Sequence, residues 1–373
     1  MPEKELCKSL YQKTGGYMKG ICHPGEDCSP LREAGIEWVR LDVPYPYTED
    51  GDVSESLIRF RERCVRYAEE GISTVLVTPY PRTFRKYGID IQTGEGLETV
   101  SAVCRFLAES FRELRVCWQA TNEMHIEHFR APLTIPEAVR FLSASIRGLK
   151  AGNPDAAIGH NSVDEGWEQN LAEIEKNTGG CDYIGFDLYD GTWSKGGPES
   201  YIATISRIYD VVRLPVVLME FGFASLGGYM DESGEDVKAY LNGLGFRDLE
   251  EVRERTDDFI AALSPSAAEY AMRCAPADRY NCVERMMPHI LKKWPVKNRI
   301  PHTEAGQAQF YARLLPLLLE NPYLAGSMIY CWRDSKRCFL CGASDCPCET
   351  AWGLVRIDGT PKPAYDVVKE LWA

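Results

Sequence analysis

The segments CWQATNE, residues 117–123, and PVVLMEFG, residues 215–222, decide the fold that this chain is predicted to adopt. Each is largely an apolar run, as buried β-strands are, and each delivers a glutamate at or near its end, Glu123 in the first and Glu220 in the second. Parallel barrels build their active sites at the carboxyl ends of the strands. We therefore predict a parallel barrel in which these glutamates act as an acid/base and a nucleophile.

Short apolar runs alternate with amphipathic helical stretches along the chain, which is typical of βα units around a parallel sheet. Glycines at positions 35 and 71 follow two helical stretches and are predicted to end those helices. The predicted fold class is α/β, a (β/α)8 TIM barrel within a single domain of residues 1–373. Its eight strands lie in YMKGICHP, IEWVRLDVPYP, ISTVLVTPYP, RVCWQATNE, AAIGHNSV, CDYIGFDLYDG, PVVLMEFGFAS and LAGSMIYCWRDS.

An excursion of about residues 224–303 separates strand seven from the helix before strand eight. The stretches DLEEVRERTDDFIAALS and NCVERMMPHILKKW within it have helical periodicity. Loops at the carboxyl ends of barrel strands border the active site, so we predict that this helical insertion forms a lid or a substrate-binding wall. The alternative is that the insertion is a scaffold elaboration or an oligomer contact, so a homo-oligomer remains an alternative to a monomer.

The composition narrows the class of protein and its partners. The 42 basic and 55 acidic residues give a formal net charge of −13. Such an acidic surface repels nucleic acids and anionic membranes, so we expect neither as a partner. No apolar stretch reaches the roughly 20 residues of a membrane span, and MPEKELCKSLYQKTGG at the N-terminus lacks the apolar core of a signal peptide. The protein is therefore expected to be cytoplasmic, with most of its 14 cysteines reduced.

The stretch CFLCGASDCPC, residues 338–348, is a second unusual feature. Four cysteines in one short loop can surround a tetrahedral zinc ion, so we predict a structural zinc site. Free thiols or a disulfide, and an iron–sulfur cluster, are the alternatives. Four cysteine ligands would leave no open position for a reacting water, so no cofactor is expected for catalysis. The candidate metal ligands are Cys338, Cys341, Cys346 and Cys348.

Hydrolysis of a glycosidic bond with retention of configuration explains why two glutamates would be needed. One carboxylic acid protonates the leaving oxygen, and a carboxylate about 5 to 5.5 Å away attacks the anomeric carbon. Strands four and seven face each other across an eight-stranded barrel, so Glu123 and Glu220 can converge. Taken alone, Glu123 could equally be a helix-capping or surface residue.

Asn122 directly before Glu123, together with the strand positions of both glutamates, resembles the glycoside hydrolase clan A superfamily of retaining β-glycosidases. The ending ETAWGLVRIDGTPKPAYDVVKELW is similar to theirs as well. No family within the clan is assigned, because the long insertion and the cysteine-rich loop are not general features of it. The resemblance implies Glu123 as acid/base, Glu220 as nucleophile, Asn122 as ligand of the sugar 2-hydroxyl, Arg40 as contact of the nucleophile, Tyr189 as the strand-six tyrosine and Trp332 as the aromatic floor of the subsite.

Two of these candidates have alternative interpretations. Arg40 beside Glu220 would keep the nucleophile ionised, but it could instead neutralise Asp42. His160, near the tip of strand five, is a candidate for hydrogen bonding to a sugar, with structural pairing as the alternative. The spacing of the histidines near strand tips matches no metal site.

The predicted function is a retaining β-glycosidase that hydrolyses short oligosaccharides or glycosides, with a carbohydrate as its substrate. An endo-acting glycanase of the mannanase or cellulase type is the enzymatic alternative, and a pocket or an open cleft would distinguish the two. A non-catalytic sugar-binding barrel is the alternative from another class.

Overall fold

A computed structural model describes residues 5–162, 168–274, 276 and 279–373 of the chain. Eight parallel strands form a closed barrel: β1 (Met18–Cys22), β2 (Trp38–Asp42), β3 (Ser73–Val77), β4 (Val116–Gln119), β5 (Ala157–Ser162), β6 (Tyr183–Leu188), β7 (Val216–Phe221) and β10 (Leu324–Ile329). Their order around the barrel is β1-β10-β7-β6-β5-β4-β3-β2. The predicted (β/α)8 TIM barrel is therefore confirmed.

Helices surround the barrel and fill the excursion after β7. They are α1 (Lys8–Thr14), α2 (Ser29–Glu33), α3 (Glu55–Glu69), α4 (Pro81–Lys86), α5 (Gly94–Ser110), α6 (Glu127–Arg130), α7 (Ile135–Gly152), α8 (Glu168–Thr178), α9 (Pro198–Val212), α10 (Glu235–Gly243), α11 (Leu249–Glu254), α12 (Thr256–Ala262), α13 (Pro265–Met272), α14 (Arg279–Leu291), α15 (Glu304–Glu320), α16 (Pro347–Thr350) and α17 (Pro363–Trp372), after a 3₁₀ helix at Glu5–Cys7. Residues 1–4 lie outside the described residues, as do residues 163–167, which include the start of EGWEQNLAEIEKN, a stretch whose sequence predicts a helix. Within the described part of the chain, no helix is both long and apolar enough to cross a membrane.

Local signals set the ends of the helices around the barrel. The Ser54 side chain accepts a hydrogen bond from the backbone N–H of Leu57 and so begins α3. Gly71 follows the end of this helix with φ +76°, a left-handed conformation that glycine adopts without steric cost. Gly35 has φ +69°, and a Cβ there would lie 2.4 Å from the backbone of Trp372. Both predicted glycine stops are confirmed, and Gly35 also allows the last helix to approach.

The register of β6 and β7 places two carboxyl groups at the same edge of the sheet. The strands pair in parallel with a register shift after Phe186, and Asp187 lies opposite Glu220. Both residues are near the carboxyl ends of their strands. A buried polar edge of this kind marks the end of the barrel where a site can form.

The insertion after β7 contains α10 to α14 and a parallel pair of short strands, β8 (Gly228–Tyr229) and β9 (Lys293–Trp294). Its helices bury a hydrophobic cluster of their own, which includes Leu241, Phe259 and Val283. The Tyr270 ring in α13 lies 5.1 Å from that of His128 after β4. The α14 helix meets the loop after β10. Because β4 and β10 lie on opposite sides of the barrel, the insertion bridges its mouth.

Candidate active site

Five predicted site residues meet at the carboxyl end of the barrel. Arg40 projects from β2, Glu220 from β7 and Tyr189 from the turn after β6. Asn122 and Glu123 lie in the loop that follows β4. A (β/α)8 barrel assembles its sites in this way, from residues that are distant in the chain.

Both oxygens of the Glu220 carboxylate are held by neighbouring side chains. Arg40 forms an ion pair through Nη1 with Oε1 at 2.8 Å, and the Tyr189 hydroxyl donates to Oε2 at 2.6 Å. Of the two partners considered for Arg40, Glu220 rather than Asp42 forms the ion pair. The Arg40 side chain is only 6% exposed, so water screens this charge pair weakly.

The side-chain amide of Asn122 has a defined orientation. Its Oδ1 accepts hydrogen bonds from Arg40 Nη2 at 2.6 Å, Gln119 Nε2 at 3.1 Å and Asn161 Nδ2 at 2.7 Å. Three converging donors identify the oxygen end of the amide. The Nδ2 group is consequently the end that can donate a hydrogen bond to a ligand.

Glu123 is a buried carboxylic acid beside this network. Its φ is +45°, and its backbone N–H donates to Oδ1 of Asn161 at 2.9 Å, which holds the loop after β4 in place. Burial, followed by the negative charge of Glu220, raises the pKa of Glu123 to about 8. At neutral pH this carboxyl is therefore protonated, as a general acid must be.

Asp187 is a site residue that the sequence analysis missed. Its Oδ2 accepts a hydrogen bond from Asn161 Nδ2 at 2.6 Å, and its side chain is within hydrogen-bonding reach of Glu123. Burial and then the charges of Glu220 and Glu123 raise the pKa of Asp187 well above its usual range. The other oxygen, Oδ1 of Asp187, is buried and has no hydrogen-bond partner among the described residues. The signal available in the sequence was its position in FDLYDG, two residues before Tyr189.

Trp332 does not face this site, which corrects the expectation that it forms the floor of the subsite. Its buried ring packs against Tyr365 of α17, with centroids 6.1 Å apart. Tyr330, two residues earlier, lies instead edge-on to Tyr189 at 6.1 Å. Burial, followed by the charge of Glu349, raises the pKa of the Tyr330 hydroxyl. The aromatic residue at the end of β10 that approaches the carboxyl groups is thus Tyr330.

His160 also lies away from the site, contrary to its predicted role in sugar binding. Side chains alternate along a strand, and Asn161 points toward Asn122, so His160 in β5 points to the opposite, outer face. It is 1% exposed, and burial lowers its pKa to about 4. Neither ring nitrogen of His160 has a hydrogen-bond partner among the described residues, so the alternative of structural pairing stays a prediction.

Glu349 in α16 is a further buried carboxyl that the sequence analysis did not single out. Burial comes first among the causes that raise its pKa well above the usual range, followed by the charges of Cys338, Glu220 and Glu123. It therefore lies within electrostatic reach of both catalytic candidates. The residue belongs to CPCET, directly after the cysteine-rich loop, and nothing in that pattern distinguishes it from a surface glutamate.

The cysteine-rich loop packs against the insertion. The side-chain ligand atoms of Cys338, Cys346 and His289 in α14 all lie within 4.8 Å of one another. Cys341 and Cys348, predicted as the other ligands, are in the same loop but outside this group of three. No disulfide joins any of the described cysteines. His289 was missed because it lies 49 residues before Cys338 and forms no motif with it.

No protein-family model matches the chain, and no curated protein matches its sequence. Solved structures do match its fold. A family 39 glycoside hydrolase from the gut symbiont Bacteroides cellulosilyticus WH2 aligns with a TM-score of 0.57 and 16% identity, over 95% of this chain and 63% of that one. A β-glucuronidase from an uncultured Clostridium species aligns at 0.54 and 14%, over 96% and 50%. The Ruminococcus gnavus β-glucuronidase aligns at 0.52 and 16%, over 96% and 50%.

At such identities these likenesses show the fold. They agree with a closed parallel barrel of eight strands surrounded by helices. The chain spans 50% to 63% of the length of the three proteins. The likeness therefore does not by itself assign the reactions of those longer proteins to this chain.

Proposed function

We propose that this chain is a retaining β-glycosidase with Glu220 as nucleophile and Glu123 as acid/base. The observation that carries the proposal is the contrast between the two carboxyl groups. Glu220 is ion-paired with Arg40, whereas burial beside Glu220 keeps Glu123 protonated. Double displacement requires such a pair of a neutral acid and a held carboxylate. The clan A resemblance and the barrel shared with glycoside hydrolases support the same function.

The proposed reaction has two steps. Glu220 attacks the anomeric carbon, the bond to the leaving oxygen breaks, and the proton of Glu123 passes to that oxygen. This step leaves a glycosyl ester on Glu220 and a negative charge on Glu123. In the second step Glu123 takes a proton from water, whose oxygen attacks the anomeric carbon and displaces Glu220. The proton lost by Glu123 in the first step is thus regained in the second.

Two neighbouring groups are proposed to hold the sugar. The Asn122 Nδ2 group, at the free end of an oriented amide, would donate to the 2-hydroxyl. Tyr330 would supply the aromatic surface, supported by its edge contacts with Tyr189 at 6.1 Å and Trp352 at 5.9 Å. Because these contacts restrain its ring, Tyr330 can present a face to a sugar at little entropic cost.

The substrate is proposed to be a short oligosaccharide or a simple glycoside. An insertion that contacts the loops after β4 and β10 closes the mouth across its width, and this favours a pocket over the open cleft of an endo-acting glycanase. The charges of the site favour a neutral sugar. Arg40 is already paired with Glu220, so the carboxylate of a glucuronide would find this cation occupied and would lie near the negative charge of Glu220.

A panel of aryl β-glycosides tests this function. We expect release of the aryl group from at least one neutral glycoside, faster than from the β-glucuronide. Glu220→Ala should abolish turnover, whereas Glu98→Ala, which removes an exposed glutamate from α5, should leave it unchanged.

Product configuration and binding complete the test. We expect NMR to show that the first product formed has the β configuration of the substrate. Binding of sugars without turnover of any glycoside would instead support the non-catalytic barrel and overturn the proposal. Wild-type turnover in Glu220→Ala would overturn the assignment of the nucleophile.

A further inference from the structure

Sulfur and nitrogen atoms from two distant parts of the chain converge beside the barrel mouth. Nδ1 of His289 lies 3.4 Å from Sγ of Cys338 and 3.6 Å from Sγ of Cys346. All three residues are buried, His289 at 3%, Cys338 at 2% and Cys346 at 0% exposure. His289 belongs to the insertion, and both cysteines belong to the loop after β10.

These distances match those between ligands of one zinc ion. With Zn–S near 2.3 Å and Zn–N near 2.0 Å, a tetrahedral angle places a nitrogen and a sulfur roughly 3.5 Å apart. Thiol–imidazole hydrogen bonding explains the cluster less well. Nδ1 carries either one lone pair or one proton, so it can make only one well-directed hydrogen bond, yet two sulfurs lie within reach.

Cys341 is the best candidate for a fourth ligand. It completes the pattern Cys338-x2-Cys341-Gly342, and its backbone N–H donates to Sγ of Cys338 at 3.4 Å. Gly342 follows with φ +73°, and its N–H donates to the carbonyl of Cys338 at 2.9 Å. The Cys341 thiol also interacts with the thiols of both Cys338 and Cys346.

Cys348 is less suitable than Cys341. It lies within α16, where its thiol has a side-chain hydrogen bond with Cys346 and electrostatic interactions with Cys338 and Cys341. Its carbonyl accepts a hydrogen bond from Trp352 Nε1 at 2.6 Å, which anchors the residue toward the barrel core. Four consecutive loop cysteines are therefore not the ligand set that the structure favours.

The surroundings also suit a zinc centre with three thiolates and one imidazole, which carries a net charge of about −1. Lys292, three residues after His289, forms an ion pair with Asp345 at 2.6 Å, next to Cys346 in the chain. The pair closes α14 onto the loop, and Lys292 lies within electrostatic reach of Cys341 and Cys346. The His289 ring stacks on Trp193, with centroids 5.7 Å apart and planes at 28°. Outer contacts of this kind orient a metal-binding histidine.

We propose that His289, Cys338, Cys341 and Cys346 bind one structural zinc ion that joins the helical insertion to the loop after β10. The ion cross-links α14 to a loop that leads directly into α16 and Glu349. Four protein ligands leave no position open for substrate or water, so the ion acts on structure alone. The site is independent of the glycosidase proposal, because neither Glu123 nor Glu220 takes part in it.

Metal analysis of the purified full-length chain tests the proposal. We expect close to one zinc per chain, and expect Co²⁺ exchanged into the protein to show the visible bands of tetrahedral cobalt and sulfur-to-cobalt charge transfer. Cys338→Ser, Cys341→Ser and His289→Gln should each lower the zinc content and the Tm. Cys348→Ser and Cys28→Ser, which alters a cysteine far from the cluster in the chain, should keep a full equivalent of zinc.

Several results would overturn the proposal. One is wild-type protein that, after exposure to Zn²⁺ under reducing conditions, holds no zinc and leaves all cluster thiols reactive. Loss of zinc in Cys348→Ser but not in Cys341→Ser would overturn the choice of fourth ligand. If a variant fails to fold, the cobalt spectrum of the wild type decides, because octahedral bands without charge transfer from sulfur would exclude a thiolate site.

Discussion

The Tyr189 hydroxyl donates to Oε2 of Glu220 at 2.6 Å, and this contact leaves the nucleophile with no freely rotating oxygen, because Arg40 holds Oε1. The carboxylate is thus oriented before a substrate arrives. The same hydrogen bond must weaken as negative charge leaves Glu220 during attack. The hydrogen bond from Tyr189 therefore has two opposed effects on Glu220: it orients the carboxylate, and it lowers the reactivity of that carboxylate.

Tyr189→Phe tests that balance. A hydrogen bond to a charged group contributes about 1.5 to 3 kcal/mol, so we expect kcat/KM to fall roughly 10- to 100-fold through loss of orientation. Steady-state kinetics on the best aryl glycoside would measure it. Tyr323→Phe, on the outer side of the barrel where the ring stacks on Tyr209, is the control and should be unaffected. An unchanged rate in Tyr189→Phe would contradict an orienting role.

The pKa of about 8 for Glu123 predicts the alkaline limb of the pH profile. Glu123 must be protonated to act as an acid, so kcat/KM should fall as the pH rises through about 8. Measurement of kcat/KM from pH 5 to pH 10 would test it, with buffers at constant ionic strength. A plateau that extends well above pH 9 would show that another group is the acid.

The same pKa affects stability. Between the ordinary value of 4.5 and about 8, the folded protein holds a proton on Glu123 that the unfolded chain has released. The free energy of unfolding should therefore decrease with rising pH across this window, by up to about 1.4 kcal/mol per pH unit from this group. Glu123→Gln removes the titration, so the difference between wild type and variant in urea unfolding should change with pH in that window and nowhere else.

Glu123→Ala should separate substrates by their leaving groups. Dinitrophenolate leaves without protonation, so the first step on a dinitrophenyl glycoside should remain fast in the variant. An alkyl glycoside should react about 10²- to 10⁴-fold more slowly with the variant than with the wild type. Azide, which needs no general base, should restore turnover of the activated substrate as the glycosyl azide. Equal losses on both substrates, without rescue, would argue against Glu123 as the acid/base.

Tyr330 and Trp332 offer a matched pair of substitutions. Tyr330→Leu should lower kcat/KM roughly 2- to 10-fold, since an aromatic contact beyond simple burial contributes about 0.5 to 1.5 kcal/mol. Trp332→Phe should lower the Tm through lost packing against Tyr365 and leave KM unchanged. A lower kcat/KM in Trp332→Phe with no change in Tyr330→Leu would instead identify Trp332 as the aromatic floor of the subsite.

The sequence was informative where one local pattern is enough to place a residue. Strand order and the carboxyl ends of strands could be predicted from apolar runs, and these placed Glu123 and Glu220 at one end of the barrel. The resemblance to clan A then added Asn122, Arg40 and Tyr189. An apolar run does not show which of its side chains faces inward. The His160 side chain points outward because it alternates along β5 with that of Asn161. The direction of Asn161 is known only from its hydrogen bond to Asn122.

Beyond the end of a strand the alternation itself is lost. Tyr330 and Trp332 lie two residues apart after β10, and only their packing shows that one faces Tyr189 and the other Tyr365. His289 is a different case. It reaches Cys338 through the fold of a long insertion, so no spacing rule could connect the two. Long-range contacts of irregular segments depend on packing that sequence periodicity does not encode.

The pairing of β10 has a consequence for how the molecule is made. This strand joins β7 on one side and β1 on the other, and the whole insertion is translated between β7 and β10. A ribosome must therefore produce the chain through residue 329 before the barrel can close, and until then the edges of β1 and β7 have no partner. The insertion, which has its own hydrophobic cluster, can collapse during that interval. We expect the emerging chain to fold the insertion first and to close the last barrel seam only after β10 has been synthesised.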